Sequence, residues 1–199
     1  METATIERTI YIVEKEQVKS ANTYVPIRIK SNWVHNVAER CIDAIDIIAT
    51  IEGKDLEIPL MYKENTELKS RYLMGAFVKM YLLSDFEPCV DGDTALMSDT
   101  DYDKWAGGHV FSQIEKFKSD KDLRDICFNM LNDFKDLERR LNVECHALLN
   151  AKNDSVARQL VAMQASVSPE AVKQIMESVN EIKETAENIK SEEETKKEE

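Results

Sequence analysis

The chain has 199 residues, 43% of them hydrophobic, with 5 Gly, 4 Pro and a formal net charge of −12 at pH 7. That is enough apolar material for a core and too few turn formers for a many-stranded sheet. The acidity, with no Lys/Arg cluster to offset it, argues against direct binding of nucleic-acid phosphates or of an anionic membrane surface.

The N-terminus lacks the basic start and apolar centre of a secretory signal. The longest apolar run, residues 72–83, contains Lys79 and is too short to span a bilayer. A protein of the cytoplasm, or one incorporated into an assembled particle, is therefore expected, not one secreted through a signal peptide. Cys41, Cys89, Cys127 and Cys145 include no C-x-x-C pair. They indicate neither a metal site nor a disulfide framework.

Residues 1–30 read as a β-hairpin. TIYIV (9–13) and YVPIRI (24–29) are β-branched and aromatic, with a turn near Ser20, Ala21 and Asn22. Pro26 cannot donate a ladder hydrogen bond, which makes the second strand an edge. LEIPLMY (56–62) could add a third strand. A first helix is predicted from Ser31 or Asn32, with Val34, Val37, Cys41, Ile45 and Ile48 at steps of three and four, stopping at Gly53. A second begins near Asn65 or Thr66 and runs through Leu68, Tyr72, Leu73, Ala76, Phe77, Met80 and Tyr81. It is apolar over much of its circumference and so reads as the most buried helix.

Residues 84–108 form a long acidic connection, followed by a short helix near 110–117. The clearest helix spans about 122–149, where Leu123, Cys127, Met130, Phe134, Leu137, Leu141, Cys145 and Leu148 make one stripe. A break is predicted at 150–154, then a short helix through Val156, Leu160 and Met163. Pro169 suits the first turn of a last amphipathic helix, 168–190, whose seam is Val172, Ile175, Val179, Ile182, Ala186 and Ile189. The tail 191–199 is a charge run with nothing to bury and should stay disordered.

Within the acidic connection, Asp99, Asp101 and Asp103 alternate like the first ligands of a calcium loop. Position six of such a loop should be Gly and is Lys104; position twelve should be Glu and is Val110. A looser divalent site of Asp91, Asp93 and Asp99 is the other metal reading. The better reading is a solvated loop whose Asp residues make turns and cap the next helix. Glu39, Asp43 and Asp46 share one face of the first predicted helix, as magnesium-binding acids do in all-α nucleoside-triphosphate pyrophosphohydrolases, but that face lies opposite the apolar stripe. His35, His109 and His146 are scattered, and Cys145 and His146 point different ways. No phosphate loop, G-x-S-x-G or H-E-x-x-H motif occurs.

The expected fold is mainly α: a helical bundle of four to five helices with a small N-terminal β-hairpin and a C-terminal helical arm. Its predicted parts are the hairpin 1–30, a helical core 31–165 containing the acidic loop 84–108, the arm 168–190 and the tail. The expected function is non-enzymatic, with no cofactor: a structural subunit, adaptor or assembly factor, binding protein partners or itself through helical faces. Val172, Ile175, Val179, Ile182 and Ile189 are the expected partner-binding residues. Size, acidity and layout suit phage connector, neck or tail-assembly proteins. The alternatives are an acidic inhibitor or chaperone that fills a basic partner groove, and a metal-dependent all-α hydrolase.

Overall fold

A computed structural model describes residues 10–51, 54–86 and 96–164. Among these the chain is mainly helical, with six α-helices and one small two-stranded antiparallel hairpin. The elements are α1 (Lys15–Ser20), α2 (Ile27–Arg40), β1 (Ile42–Ile51), β2 (Lys54–Glu64), α3 (Thr66–Ala76), α4 (Asp99–Gly107), α5 (Val110–Phe117) and α6 (Arg124–Gln164). A π-helical turn over Phe77–Leu82 continues α3. The chain divides into two compact units: residues up to Asp43 with Glu64–Leu148, and Ala44–Lys63 with the chain from Leu149 onward. The predicted seam 168–190 and the tail lie outside the described residues.

Among the described residues the hairpin is formed by β1 and β2, while α1 and the start of α2 lie within residues 10–30, where the sequence predicts it. Pro26 sits just ahead of α2, where a missing N–H does no harm, and its carbonyl accepts from Ile29 and Lys30 N–H at 2.9 and 3.1 Å. Lys30, Trp33, Val34, Val37, Ala38 and Cys41 then form the buried stripe, which begins earlier than the predicted helix and ends earlier. Past Arg40 the chain turns into β1. Its sequence IDAIDIIATI holds five isoleucines, and a β-branched run favours extended backbone over helix. Ile45 and Ile48 keep helical spacing by coincidence. Segment 56–62 is strand, and the two-stranded sheet leaves Pro59 at an edge position, where it is tolerated.

In the first unit, Leu123 just ahead of α6 and Cys127, Met130, Phe134, Leu137, Leu141 and Cys145 on it face the core, all buried. Asn65 caps α3, its side chain accepting from Leu68 N–H at 2.9 Å. The α3 helix and its π continuation bury Tyr72, Met74, Ala76, Phe77, Val78, Met80, Tyr81 and Leu82. Phe77 lies 4.7 Å from Phe111 and 4.9 Å from Phe134, ring centre to ring centre. These offset and edge contacts make the aromatic centre of the unit.

In the second unit, α6 continues without the break predicted at 150–154 and runs to Gln164. None of residues 150–154 is Gly or Pro, so nothing there forbids helix. Asn153 binds both main-chain groups of Tyr62, accepting from its N–H at 2.7 Å and donating to its carbonyl at 3.2 Å. Leu60 and Val156 are buried in this unit. No helix of the described residues is long and apolar enough to cross a membrane.

Candidate functional site

Lys30 is the one charged side chain buried among the described residues, at 3% exposure. An ammonium cannot leave water without acceptors around it. Its Nζ donates to Asp133 Oδ1 at 2.6 Å, to Asp136 Oδ2 at 3.3 Å and to the Asp133 carbonyl at 3.4 Å, so each of its hydrogens has an acceptor. The other Asp133 oxygen accepts from Val25 N–H at 2.9 Å and from the Tyr81 hydroxyl at 3.0 Å. Asp136 also accepts from Arg140 Nε at 2.7 Å and Arg139 Nη2 at 2.8 Å. The cluster therefore fastens the start of α2, the π turn and α6 to one another. Lys30 is used as a cross-link.

Burial, and then the Asp133 carboxylate, push the Tyr81 phenol up from its ordinary range. Arg140, followed by Arg139 and Lys30, holds the Asp136 carboxyl well below the usual carboxylate range. Between the ordinary value near ~4 and the depressed folded value, the unfolded chain binds a proton that the folded chain does not. Asp136 thus adds stability at neutral pH that is lost progressively as pH falls through that range. Urea midpoints measured from pH 7 down to pH about 3 should fall, and Asp136→Asn should show a shallower decline than wild type over the same interval.

Above the cluster lies an open trough of about 610 Å³, walled by Thr23, Tyr24, Ile27 and Lys30 on one side and Asn129, Asn132, Asp133, Asp136 and Arg140 on the other. Arg140 also lines a neighbouring groove of about 350 Å³ with Ser31, Val34, His35, Arg139, Val143 and Glu144. The Tyr24 ring stands 5.5 Å from Lys30 Nζ, a cation–π distance. Tyr24, Ile27 and Val143 are 59%, 55% and 59% exposed, large for apolar side chains beside a rigid ionic floor. Lining cations Lys30, Arg139 and Arg140 balance lining carboxylates Asp133, Asp136 and Glu144. The surface is locally neutral on a chain of net charge −12.

The residues singled out from the sequence lie elsewhere. DTDYD is not a loop but the first turn of α4, capped by Ser98, whose hydroxyl accepts from Asp101 N–H. On a helix, successive steps of two residues turn the side chain by about 200°, so Asp101 leaves the side that Asp99 and Asp103 occupy. Asp99 pairs with Arg71 at 2.6 Å and Asp101 with Lys104 at 3.8 Å. No group of three or more His, Cys, Asp or Glu suited to a metal ion occurs among the described residues. Glu39 lies on α2 whereas Asp43 and Asp46 lie on β1, so the shared helical face does not exist. Asp43 accepts from Asn65 Nδ2 at 2.9 Å. Glu64 pairs with Lys69.

Cys41, Cys127 and Cys145 are buried free thiols, and His146 beside Cys145 is exposed. A hydrogen bond with Cys145, together with burial, pushes the Cys41 thiol up. Asp91, Asp93, Cys89 and the seam Val172, Ile175, Val179, Ile182 and Ile189 lie outside the described residues.

Sequence reasoning missed the ion cluster. Its visible trace was Lys30 on an otherwise apolar stripe, and Asp136 followed at three and four residues by Arg139 and Arg140. Comparison with known protein families, curated proteins and solved structures gives no match.

Proposed function

We propose that this chain is a non-enzymatic interaction protein, a structural subunit, adaptor or assembly factor, that docks a partner helix on the surface around the trough. The observation that carries this reading is the pairing of exposed apolar side chains, Tyr24, Ile27 and Val143, with a floor whose charges are already satisfied within the chain. An aromatic anchor, a neighbouring aliphatic and a guanidinium on a rigid support are the usual components of a binding hot spot. Arg139, 68% exposed, adds a donor for a carboxylate on the partner helix. Phage neck or tail-assembly complexes suit the chain's size and acidity.

The test compares full-length wild type with a Tyr24→Ala, Ile27→Ala double variant, as bait and then with the purified partner. Each truncation should cost on the order of 1–2 kcal/mol of binding while leaving thermal unfolding unchanged. Apolar burial also predicts weak salt dependence. A stoichiometric complex untouched by both substitutions would refute the reading. One dissolved by moderate salt would transfer the role to the acidic exterior.

A further inference from the structure

Helices α2 and α6 lie side by side and touch at two levels. Lys30 reaches Asp133 at one, and Cys145 Sγ meets the Ala38 carbonyl at 3.9 Å at the other. The spacings agree. Residues 30 to 41 rise about 17 Å along a helix, and residues 133 to 145 about 18 Å. That register brings Cys41, the residue closing α2, to the level of Cys145. Both residues converge on one carbonyl, because the Cys41 N–H also donates to Ala38 O, at 3.3 Å. The Cys41 thiol hydrogen-bonds to Cys145. Cys41 is 0% and Cys145 2% exposed, and both are free.

Burial limits what oxidation can make of them. A sulfur shut off from solvent does not form a mixed disulfide with a bulky thiol or with another chain, and here each sulfur has the other for its neighbour. Cys127 is buried and free as well, but it stands about 27 Å back along α6. We propose that Cys41 and Cys145 are a latent disulfide, closed by a hydroperoxide, that fastens the end of α2 to α6. The hydrogen bond from Cys41 holds the Cys145 thiol below its ordinary range, which makes Cys145 the attacking sulfur. Its thiolate attacks one peroxide oxygen, the O–O bond breaks, and the departing hydroxide takes up the Cys145 proton and leaves as water. The Cys41 sulfur then attacks the Cys145 sulfenic acid. The S–S bond forms, the S–O bond breaks, and the Cys41 proton leaves with the hydroxide as a second water. The two thiols lose two electrons and the peroxide gains them. Local opening must first uncover the sulfurs, so closure is slower than that of an exposed pair. The bond closes a loop of about 100 residues and so restricts the unfolded chain. Neither cysteine lines the trough, and the inference does not rest on partner docking.

The test incubates the full-length chain with hydrogen peroxide, blocks the remaining thiols and digests with trypsin. Peptide 41–54 should be recovered joined to peptide 141–152. Before blocking, the intact mass should fall by two hydrogens, and a non-reducing gel should show no dimer. Tm should rise by about 5–15 °C on oxidation and return with dithiothreitol. Cys41→Ala and Cys145→Ser should each abolish the gain, whereas Cys127→Ser should keep it. Should a variant fail to fold, the peptide map of the wild type decides by itself. Recovery of the two peptides unlinked overturns the inference. So does a sulfinic acid in place of the link, a link to Cys89 or Cys127, or a linked chain whose Tm has not moved.

Discussion

Asp133→Ala should be the most damaging single change in the described structure, lowering the free energy of unfolding by about 3–5 kcal/mol. It strips Lys30 of its shortest partner, at 2.6 Å, and leaves the Tyr81 hydroxyl and Val25 N–H without their acceptor, all at a site where water has little access. Lys30→Met should cost less, about 1–2 kcal/mol. A methionine fills the same space, Asp133 retains the bonds from Val25 and Tyr81, and Asp136 retains both arginines. Urea unfolding of the two variants beside wild type checks the order. If Lys30→Met proved the worse, the cluster would depend on the cation and not on the Asp133 carboxylate that joins three elements.

Gly108→Ala is expected to destabilise by about 2–4 kcal/mol. Its backbone is ordinary, with φ −74°, so conformational freedom is not what requires glycine there. The requirement is room. A Cβ at 108 would lie 2.5 Å from the Tyr11 carbonyl oxygen and 3.1 Å from that of Lys104, both main-chain atoms that cannot swing aside. The Ile10–Val13 segment would have to lift, giving up its bonds to Gln113 and Lys104. The adjacent Gly107 makes the internal control. Among the described residues a Cβ there meets only Ile10 Cγ2, at 3.8 Å, so Gly107→Ala should be neutral or stabilise by up to about 1 kcal/mol through helix propensity. Thermal unfolding separates the two. Hydrogen exchange at Tyr11 and Val13 should accelerate in Gly108→Ala alone.

Local pattern was enough where burial and period coincide over many turns. The α6 stripe from Leu123 to Cys145 and the Asn65 cap of α3 were both readable, because each rests on neighbours three or four residues away. The stretch from Tyr24 to Ile51 was not. Val25, Ile27 and Ile29 carry strand propensity, and the helix there is settled by burying Trp33 and Val37 against residues distant in sequence. The reverse holds at Ile45 and Ile48, where helical spacing lost to a β-branched run. The trough was invisible for a related reason. Lys30 and Asp133 stand 103 residues apart, and nothing near either announces the other. The alternating aspartates attracted attention because they were adjacent, and the helix that contains them turns them apart.

The wide turn over Phe77–Leu82 has a consequence for chain length. There Leu83 N–H reaches back five residues to the Val78 carbonyl, and the carbonyls of Met80 and Tyr81 take the Asn22 side chain and N–H, each at 2.9 Å. A π turn accommodates one residue more than α-helical pitch. Loss of one residue would therefore restore a regular helix with the flanking segments still in register, while the groups inside the turn would each step round by about 100°. The Tyr81 hydroxyl would be carried off Asp133, 52 positions further along the chain, and Asn22 would be left without its anchors. Insertions and deletions in this short stretch are thus edits to a distant surface, and a tally of residues, as much as their kind, shapes what that surface can grip.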